Sequence, residues 1–295
     1  MVDVWYPVSD GTSEPYNYGL GRGHVVEAGA IAAGRFPLIM LSHGALGAAR
    51  NYSWIAEPLA RAGYVVAGVS HFGESYVYGA HTVEPGAVLR FWERPLDVSA
   101  AVSYMIDASP LSAAIDRDRI GFVGHSSGGA TGLLLAGGTF DAEKMAAYCE
   151  TPEARADRGC DYAETTVDDE VKAPEDQNYR DDRVQALAIL DPALGPGFRD
   201  FGGLPSDTGL LVVGSTDNDF LPFESHAGRI ANLLPDVEWH WLAGGEGHFV
   251  YLNICGLEIE ANGVPLCVDR DGVSRLQSHR DLITLVRSYF ATRLD

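Results

Sequence analysis

Lysine is nearly missing from this chain: Lys144 and Lys172 are its only two among 21 basic residues, set against 41 acidic ones for a net charge of −20. Positive charge this thin and scattered makes no stripe for a phosphate backbone, and so strong a negative balance repels nucleic acid and anionic bilayers alike. Long hydrophobic runs are also absent. No stretch approaches the roughly 20 apolar residues that cross a bilayer, and the chain opens on Val-Asp-Val-Trp-Tyr-Pro rather than on a basic segment leading into an apolar core. Neither nucleic-acid binding nor membrane insertion is expected. Either the protein works in the cytoplasm or a leader has been removed.

Cysteine is scarce, with four in 295 residues: Cys149 and Cys160 lie eleven apart, Cys255 and Cys267 twelve apart. Neither pair has the Cys-x-x-Cys spacing of a zinc site and no histidine stands beside them at ligand spacing, so no metal and no cofactor is expected. Two local disulfides are the preferred reading, which places the protein in an oxidising compartment, periplasmic or secreted. Four free thiols in a cytoplasmic enzyme are the alternative.

What is present is ample core material, 46% apolar residues with 21% charged, arranged in a regular alternation. Phe36 to Ser42, Tyr64 to Val69, Arg119 to Val123, Val184 to Leu190, Gly209 to Val213 and Val237 to Leu242 read as strands. Most are apolar nearly throughout, as strands buried on both faces of a parallel sheet must be. Helical stretches separate them: Asn51 to Ala62, Phe91 to Ile106, Ser127 to Leu135, Phe223 to Leu234 and Ser274 to Arg293. The last places Leu276, Leu282, Leu285, Val286 and Phe290 on one apolar stripe. This pattern predicts an α/β fold, one domain over 1–295 with a mostly parallel, doubly wound sheet. Val2, Val4 and Tyr6 with His24, Val25 and Val26 suggest an antiparallel hairpin at its edge. Residues 139–182 break the rhythm, with fourteen acidic against five basic residues and both Cys149 and Cys160. They read as an inserted cap or lid pinned by its disulfide, or else as a solvated surface loop.

The chemistry centres on Phe-Val-Gly-His-Ser-Ser-Gly-Gly-Ala-Thr, residues 122–131. A nucleophilic serine at a sharp strand-to-helix turn needs tiny residues two before and two after it, because the two backbones pass close there. Gly124 and Gly128 satisfy this around Ser126. For Ser127 the residue two before is His125, which would collide. The preceding Arg-Ile-Gly-Phe-Val is a strand and the following Ser-Gly-Gly-Ala-Thr-Gly-Leu-Leu-Leu-Ala starts a helix, so Ser126 is the candidate nucleophile.

Where such an elbow tops a parallel sheet, the order is serine, acid, then histidine after the last strand. His226, His240, His248 and His279 follow at sufficient distance. His240 alternates with tryptophans inside a strand, and His226 and His279 fall on helices. His248, in Gly-Gly-Glu-Gly-His-Phe just past a strand, is the candidate base. For the acid Asp217 ranks first, Asp191 second and Asp219 third, each at or near a strand end; any could instead be a turn or capping aspartate. For the oxyanion, the Ser127 amide is one donor and Ala45, in Leu-Ser-His-Gly-Ala-Leu-Gly after a buried strand, the other. His43 reads as a loop-packing imidazole.

Val-Trp-Tyr-Pro, Phe-Pro-Leu-Ile-Met-Leu-Ser-His-Gly, Leu-Ala-Arg-Ala-Gly-Tyr-Val-Val-Ala, Arg-Pro-Leu-Asp-Val, Gly-His-Ser-Ser-Gly-Gly and Gly-His-Phe-Val-Tyr-Leu-Asn-Ile-Cys together resemble the α/β-hydrolases labelled predicted dienelactone hydrolases, relatives of plasma-type platelet-activating-factor acetylhydrolase. The resemblance runs over nearly the whole chain and is weakest in the acidic insertion. It implies the α/β-hydrolase fold and carboxylic-ester hydrolysis by a serine triad, with Ser126 and His248 on the family's positions, in a group often exported. True dienelactone hydrolases carry cysteine where this chain has Ser126, so lactone hydrolysis is not implied. The acetylhydrolase relative takes its acid after the earlier strand, matching Asp191. Most α/β-hydrolases take it after the later one, matching Asp217, so the acid stays open.

Tyr52, Trp54, Phe72, Tyr76, Tyr78, Trp92, Phe220, Phe249 and Tyr251 fall in or near loops expected at the carboxyl ends of the strands, where they could grip an apolar or aromatic group of a small, lipid-like or polymeric ester. A reading of another class is a hydrolase fold turned into a non-catalytic binding module.

Overall fold

In a computed structural model the protein is described over residues 1–164, 177–202, 204, 208–234 and 236–294. Seven strands form the central sheet: β1 (Val2–Trp5), β2 (Phe36–Ser42), β3 (Val65–Val69), β4 (Ile115–His125), β5 (Val184–Leu190), β6 (Gly209–Ser215) and β7 (Glu238–Leu242). Their spatial order is β1-β3-β2-β4-β5-β6-β7. All neighbours run parallel except β1, which caps one edge antiparallel to β3.

The sheet is covered on both faces because its strands are apolar on both. Ile39 and Leu41 of β2 pack one way, into a core shared with helices α1 (Ser53–Arg61) and α6 (Arg275–Leu294). Leu38 and Met40 pack the other way, against α2 (Glu93–Asp107), α3 (Ser127–Leu135) and α5 (Ala227–Leu233). Period-two alternation along one strand thus feeds two separate cores. Burying each such Leu or Ile contributes roughly 1.5–3 kcal/mol.

Two expectations are corrected. Residues 22–25 do not pair with β1: they form a ribbon with Glu14–Asn17, closed by the Tyr18–Gly21 turn, while β1 pairs with β3. The short turn makes the local pairing the easier one to close. On α6 the buried stripe runs Ser278, His279, Leu282, Val286, Tyr289, Phe290 and Leu294, and Leu276 is 50% exposed. Leu276 sits one position round the helix from the buried Arg275, whose guanidinium is held by Asp269 and by the Asn253 carbonyl.

Cys149 is bonded to Cys160 and Cys255 to Cys267. The first bridge lies within the acidic segment, from the end of α4 (Ala142–Cys149) to Cys160, and the segment is anchored to the body by Asp157 on His226 Nε2 at 2.7 Å and by the Arg158 amide on the Phe220 carbonyl at 2.8 Å. Residues 165–176 of the expected insertion lie outside those described. Among the described residues, no helix is long and apolar enough to cross a membrane.

Candidate active site

The carboxyl ends of β2, β4, β5 and β6 meet on one side of the sheet, the usual place for ligands in open α/β sheets. Ser126 stands at the tip of the β4–α3 turn with φ 57° and ψ −119°, a left-handed backbone that a non-glycine residue adopts only under constraint. The constraint is visible in the glycines. A Cβ on Gly124 would lie 2.2 Å from the Gly128 carbonyl oxygen, and one on Gly128 would lie 2.1 Å from the Ser42 carbonyl oxygen. Strand, helix and the β2 loop therefore touch backbone to backbone around the serine.

His248 opens a single turn of helix at residues 248–251, five residues beyond the Ala243 that follows β7. Its Nε2 lies 2.9 Å from Ser126 Oγ and its Nδ1 lies 2.6 Å from Asp191 Oδ2. A carboxylate only accepts, so the proton sits on Nδ1 and Nε2 is left as a base toward the serine. Phe220 stacks on the imidazole at 5.2 Å with the planes 11° apart, and His125 flanks it at 4.6 Å. All three polar residues are buried: Ser126 is 6% exposed, Asp191 2% and His248 1%.

The carboxylate that meets His248 is therefore Asp191, and not Asp217. Asp191 follows β5 directly, with φ 45°, and its second oxygen accepts from the Ser215 amide at 3.2 Å. Asp217 lies two residues past the end of β6, exposed, and its carbonyl accepts from Arg270. Asp219 reaches His248 from behind, accepting its backbone amide at 2.9 Å. Between them Asn218, which the sequence reading passed over, donates its amide to Asp191 Oδ2 and takes the Phe220 and Leu221 amides on its own oxygen. The loop after β6 thus supports the acid that the loop after β5 supplies. Tyr251 backs the same group: its hydroxyl meets Ser215 Oγ at 3.1 Å, and burial, with the Asp191 charge adding to it, pushes its ionisation well above the ordinary tyrosine value.

Ala45 lines the cavity over Ser126, and Ser127 begins α3 immediately after it. Neither amide has an acceptor among the described residues. His125, beside the serine, accepts from Tyr52 Oη at Nδ1 (2.9 Å) and donates from Nε2 to the His248 carbonyl (3.1 Å). Desolvation, with the neighbouring His248 adding to it, keeps His125 well below the ordinary histidine range, so it is a neutral hydrogen-bonding link. His125, Asp191 and His248 offer ligand atoms within 4.8 Å of one another, but each is already committed to the hydrogen bonds just described.

A cavity of about 470 Å³ opens onto Ser126. Of the aromatic residues named from the sequence, Tyr52, Tyr76, Phe220 and Phe249 line it. Trp54 instead stacks on His279 at 4.0 Å, Phe72 packs edge-on to Tyr78 and Trp92 edge-on to Phe91, and Tyr251 is the buried residue behind the acid. Other parts of the wall come from Leu20, Tyr162 of the acidic segment, and Leu257, Ile259 and Leu266 from the loop closed by the Cys255–Cys267 bridge. No aspartate, glutamate, lysine or arginine is among the lining residues described.

With this geometry in place, comparison with known proteins is informative. Residues 20–86 match the family model of platelet-activating factor acetylhydrolase, isoform II. The chain is 31% identical over 137 residues to platelet-activating factor acetylhydrolase of Cavia porcellus, a match covering 33% of this chain and 31% of that protein. It therefore spans only about a third of the length of the curated relative it matches. A solved ferulic acid esterase from Streptomyces cinnamoneus superposes over 99% of this chain and 82% of its own, with a TM-score of 0.62 and 21% identity, a likeness of fold. The chain thus has the α/β-hydrolase fold, and over part of its length it is similar to platelet-activating factor acetylhydrolase.

Proposed function

We propose that this protein is a serine-dependent carboxylic ester hydrolase acting on uncharged, apolar esters through an acyl-enzyme. The observation that carries the reading is the buried His248, with one nitrogen on Ser126 Oγ at 2.9 Å and the other on Asp191 at 2.6 Å. Ester hydrolysis is also what the names of both similar proteins have in common.

In this reading His248 Nε2 takes the Ser126 proton as Oγ attacks the ester carbonyl carbon. The carbonyl oxygen becomes an oxyanion and receives hydrogen bonds from the Ala45 and Ser127 amides. Collapse breaks the ester C–O bond, and the alcohol leaves with the proton returned by His248. Water then repeats the sequence on the acyl-enzyme, releasing the acid and restoring Ser126. Asp191 holds the imidazole in the tautomer that keeps Nε2 basic. The cavity supports the choice of substrate, since walls without a formal charge favour a neutral acyl or alcohol group over a charged one. The two disulfides favour work in an oxidising compartment, periplasmic or secreted.

The test is covalent labelling by a fluorophosphonate together with turnover of p-nitrophenyl esters. Labelling at Ser126, and loss of both signals in Ser126→Ala, is the expected result. Full turnover by Ser126→Ala would remove the mechanism, and a chain with no labelled serine and no turnover would be a binding module on a hydrolase fold.

A further inference from the structure

One buried ion pair, Arg94 with Glu74, takes no part in the triad. Arg94, in the first turn of α2, and Glu74, in the loop after β3, are each 2% exposed and meet as a bidentate pair, Nε on Oε1 and Nη2 on Oε2, both at 2.7 Å. Apart from a 3.4 Å hydrogen bond from Arg94 Nη1 to Ser42 Oγ, their remaining hydrogen bonds converge on the backbone of residues 43–46. Arg94 Nη1 donates to the His43 carbonyl at 2.7 Å and Nη2 to the Gly44 carbonyl at 3.4 Å, while Glu74 Oε2 accepts the Leu46 amide at 3.3 Å. The Gly44 carbonyl also accepts from His43 Nδ1 at 2.6 Å, and the Gly44 amide donates to Tyr52 Oη at 2.9 Å. Helix α2 secures the histidine layer too: Asp97, one turn beyond Arg94, accepts from His71 Nδ1 at 2.8 Å, and the His71 amide donates to His43 Nε2 at 3.1 Å.

One peptide plane receives most of this attention. The Gly44–Ala45 bond is trans, as every described bond is, so its C=O and N–H point in opposite directions. Arg94 and His43 pull the carbonyl toward the buried side. The Ala45 N–H is thereby aimed away from them, in a loop so close to the nucleophile that a Cβ on Gly44 would lie 3.2 Å from Ser126 Cβ.

We infer that Arg94 and Glu74 are positioning residues that fix the Gly44–Ala45 peptide so that the Ala45 amide is pre-aimed at the oxyanion. The inference rests on the ester-hydrolase reading above. It gives a function to the Arg-Pro-Leu-Asp-Val motif, and it makes His43 part of the same brace rather than loop packing alone. A guanidinium is suited to this because one planar fork can bind the carboxylate on one edge and two carbonyls on the other, whereas an ammonium is a single point of donation. Pre-aimed dipoles act on the transition state and leave ground-state binding nearly untouched.

The experiment compares the parent with Arg94→Lys and Glu74→Gln. It measures kcat and KM per serine titrated to completion with a fluorophosphonate, and the affinity of a trifluoromethyl ketone that forms a tetrahedral adduct on Ser126. Losing one oxyanion donor costs about 10²–10³ in kcat. Arg94→Lys is expected to lose on the order of 10² in kcat per titrated site with KM within threefold, and to bind the ketone weaker by the same factor. Glu74→Gln, which keeps the shape of the pair, should show the same pattern to a smaller degree. A merely structural role would lower the number of titratable sites but not the turnover of each. Turnover per site within threefold of the parent in both variants, an unchanged ketone affinity, or failure of both variants to fold overturns the inference and leaves the ester-hydrolase reading intact. A parent that turns over no ester overturns both.

Discussion

At the scale of single residues, the acid is the point where sequence and structure part. Asp191 and Asp217 both follow buried strands, and the residues alone left Asp217 ahead. A shift of two residues in where a strand ends decides the matter. Asp191 begins its turn immediately after β5, the strand beside β4, and faces His248. Asp217 stands two residues beyond β6, where its side chain has already left the sheet edge for solvent. Asp191→Asn should cost on the order of 10⁴ in kcat, the loss seen when a triad aspartate becomes an asparagine that favours the wrong tautomer. Asp217→Asn should stay within about twofold of the parent. Both are read by ester turnover, and equal losses in the two variants would remove Asp191 from its role.

At the scale of elements, most of the fold was legible because it rests on local periodicity. Continuous apolar runs marked the inner strands, and the Gly124 and Gly128 bracket selected the turn that carries Ser126. Long-range partners left no such mark. Arg94 sits in an amphipathic helix where an arginine looks like one more solvated residue, and only the fold brings Glu74 to it. Asn218 was hidden in a polar loop of the kind that usually faces water. The loop closed by Cys255 and Cys267 has no period at all, yet its Leu257, Ile259 and Leu266 wall the cavity. Leu257 and Ile259 remain 49% and 41% exposed, so little packing beyond the bridge fixes them. A bridge across a loop of this length restrains the chain by about 3 kcal/mol on the entropic account. Replacing both cysteines by serine should therefore raise KM several-fold for p-nitrophenyl esters of long acyl chains while leaving the acetate within about twofold. A series of acyl lengths checks this, and a uniform rise in KM at every length would mean that the loop does not grip the acyl group.

At the scale of the whole molecule, the buried histidines set how the protein meets acid. His43, His71, His125 and His279 all lie below the ordinary histidine value because burial penalises their charged forms, with His279 brought down to about 4. The folded state thus holds fewer protons than the unfolded one just below pH 6.5. Stability from these groups is fully present above that value and is lost as the pH falls toward their folded values. Each of the four adds to the loss over that interval, and a typical domain is stable by only about 5–15 kcal/mol in all, so their combined effect bears on whether the fold survives. Glu74 acts later: burial alone would raise its pKa, but the charge and hydrogen bonds of Arg94 outweigh this and hold it at about 2. Its contribution is present above the ordinary carboxylate value of 4.5 and fades only as the pH falls toward 2. The charge of −20 works the other way, since protonating surface carboxylates relieves self-repulsion, but carboxylic acids as a class take up protons well below this interval. Between pH 6.5 and 5 the histidines therefore decide the outcome. Urea unfolding should give a flat stability from pH 8 to 7 and a steep fall from 6.5 to 5, with the fall made shallower by about one proton in His279→Gln, and a stability that held or rose across that interval would show that the buried imidazoles are not what limits the fold in acid.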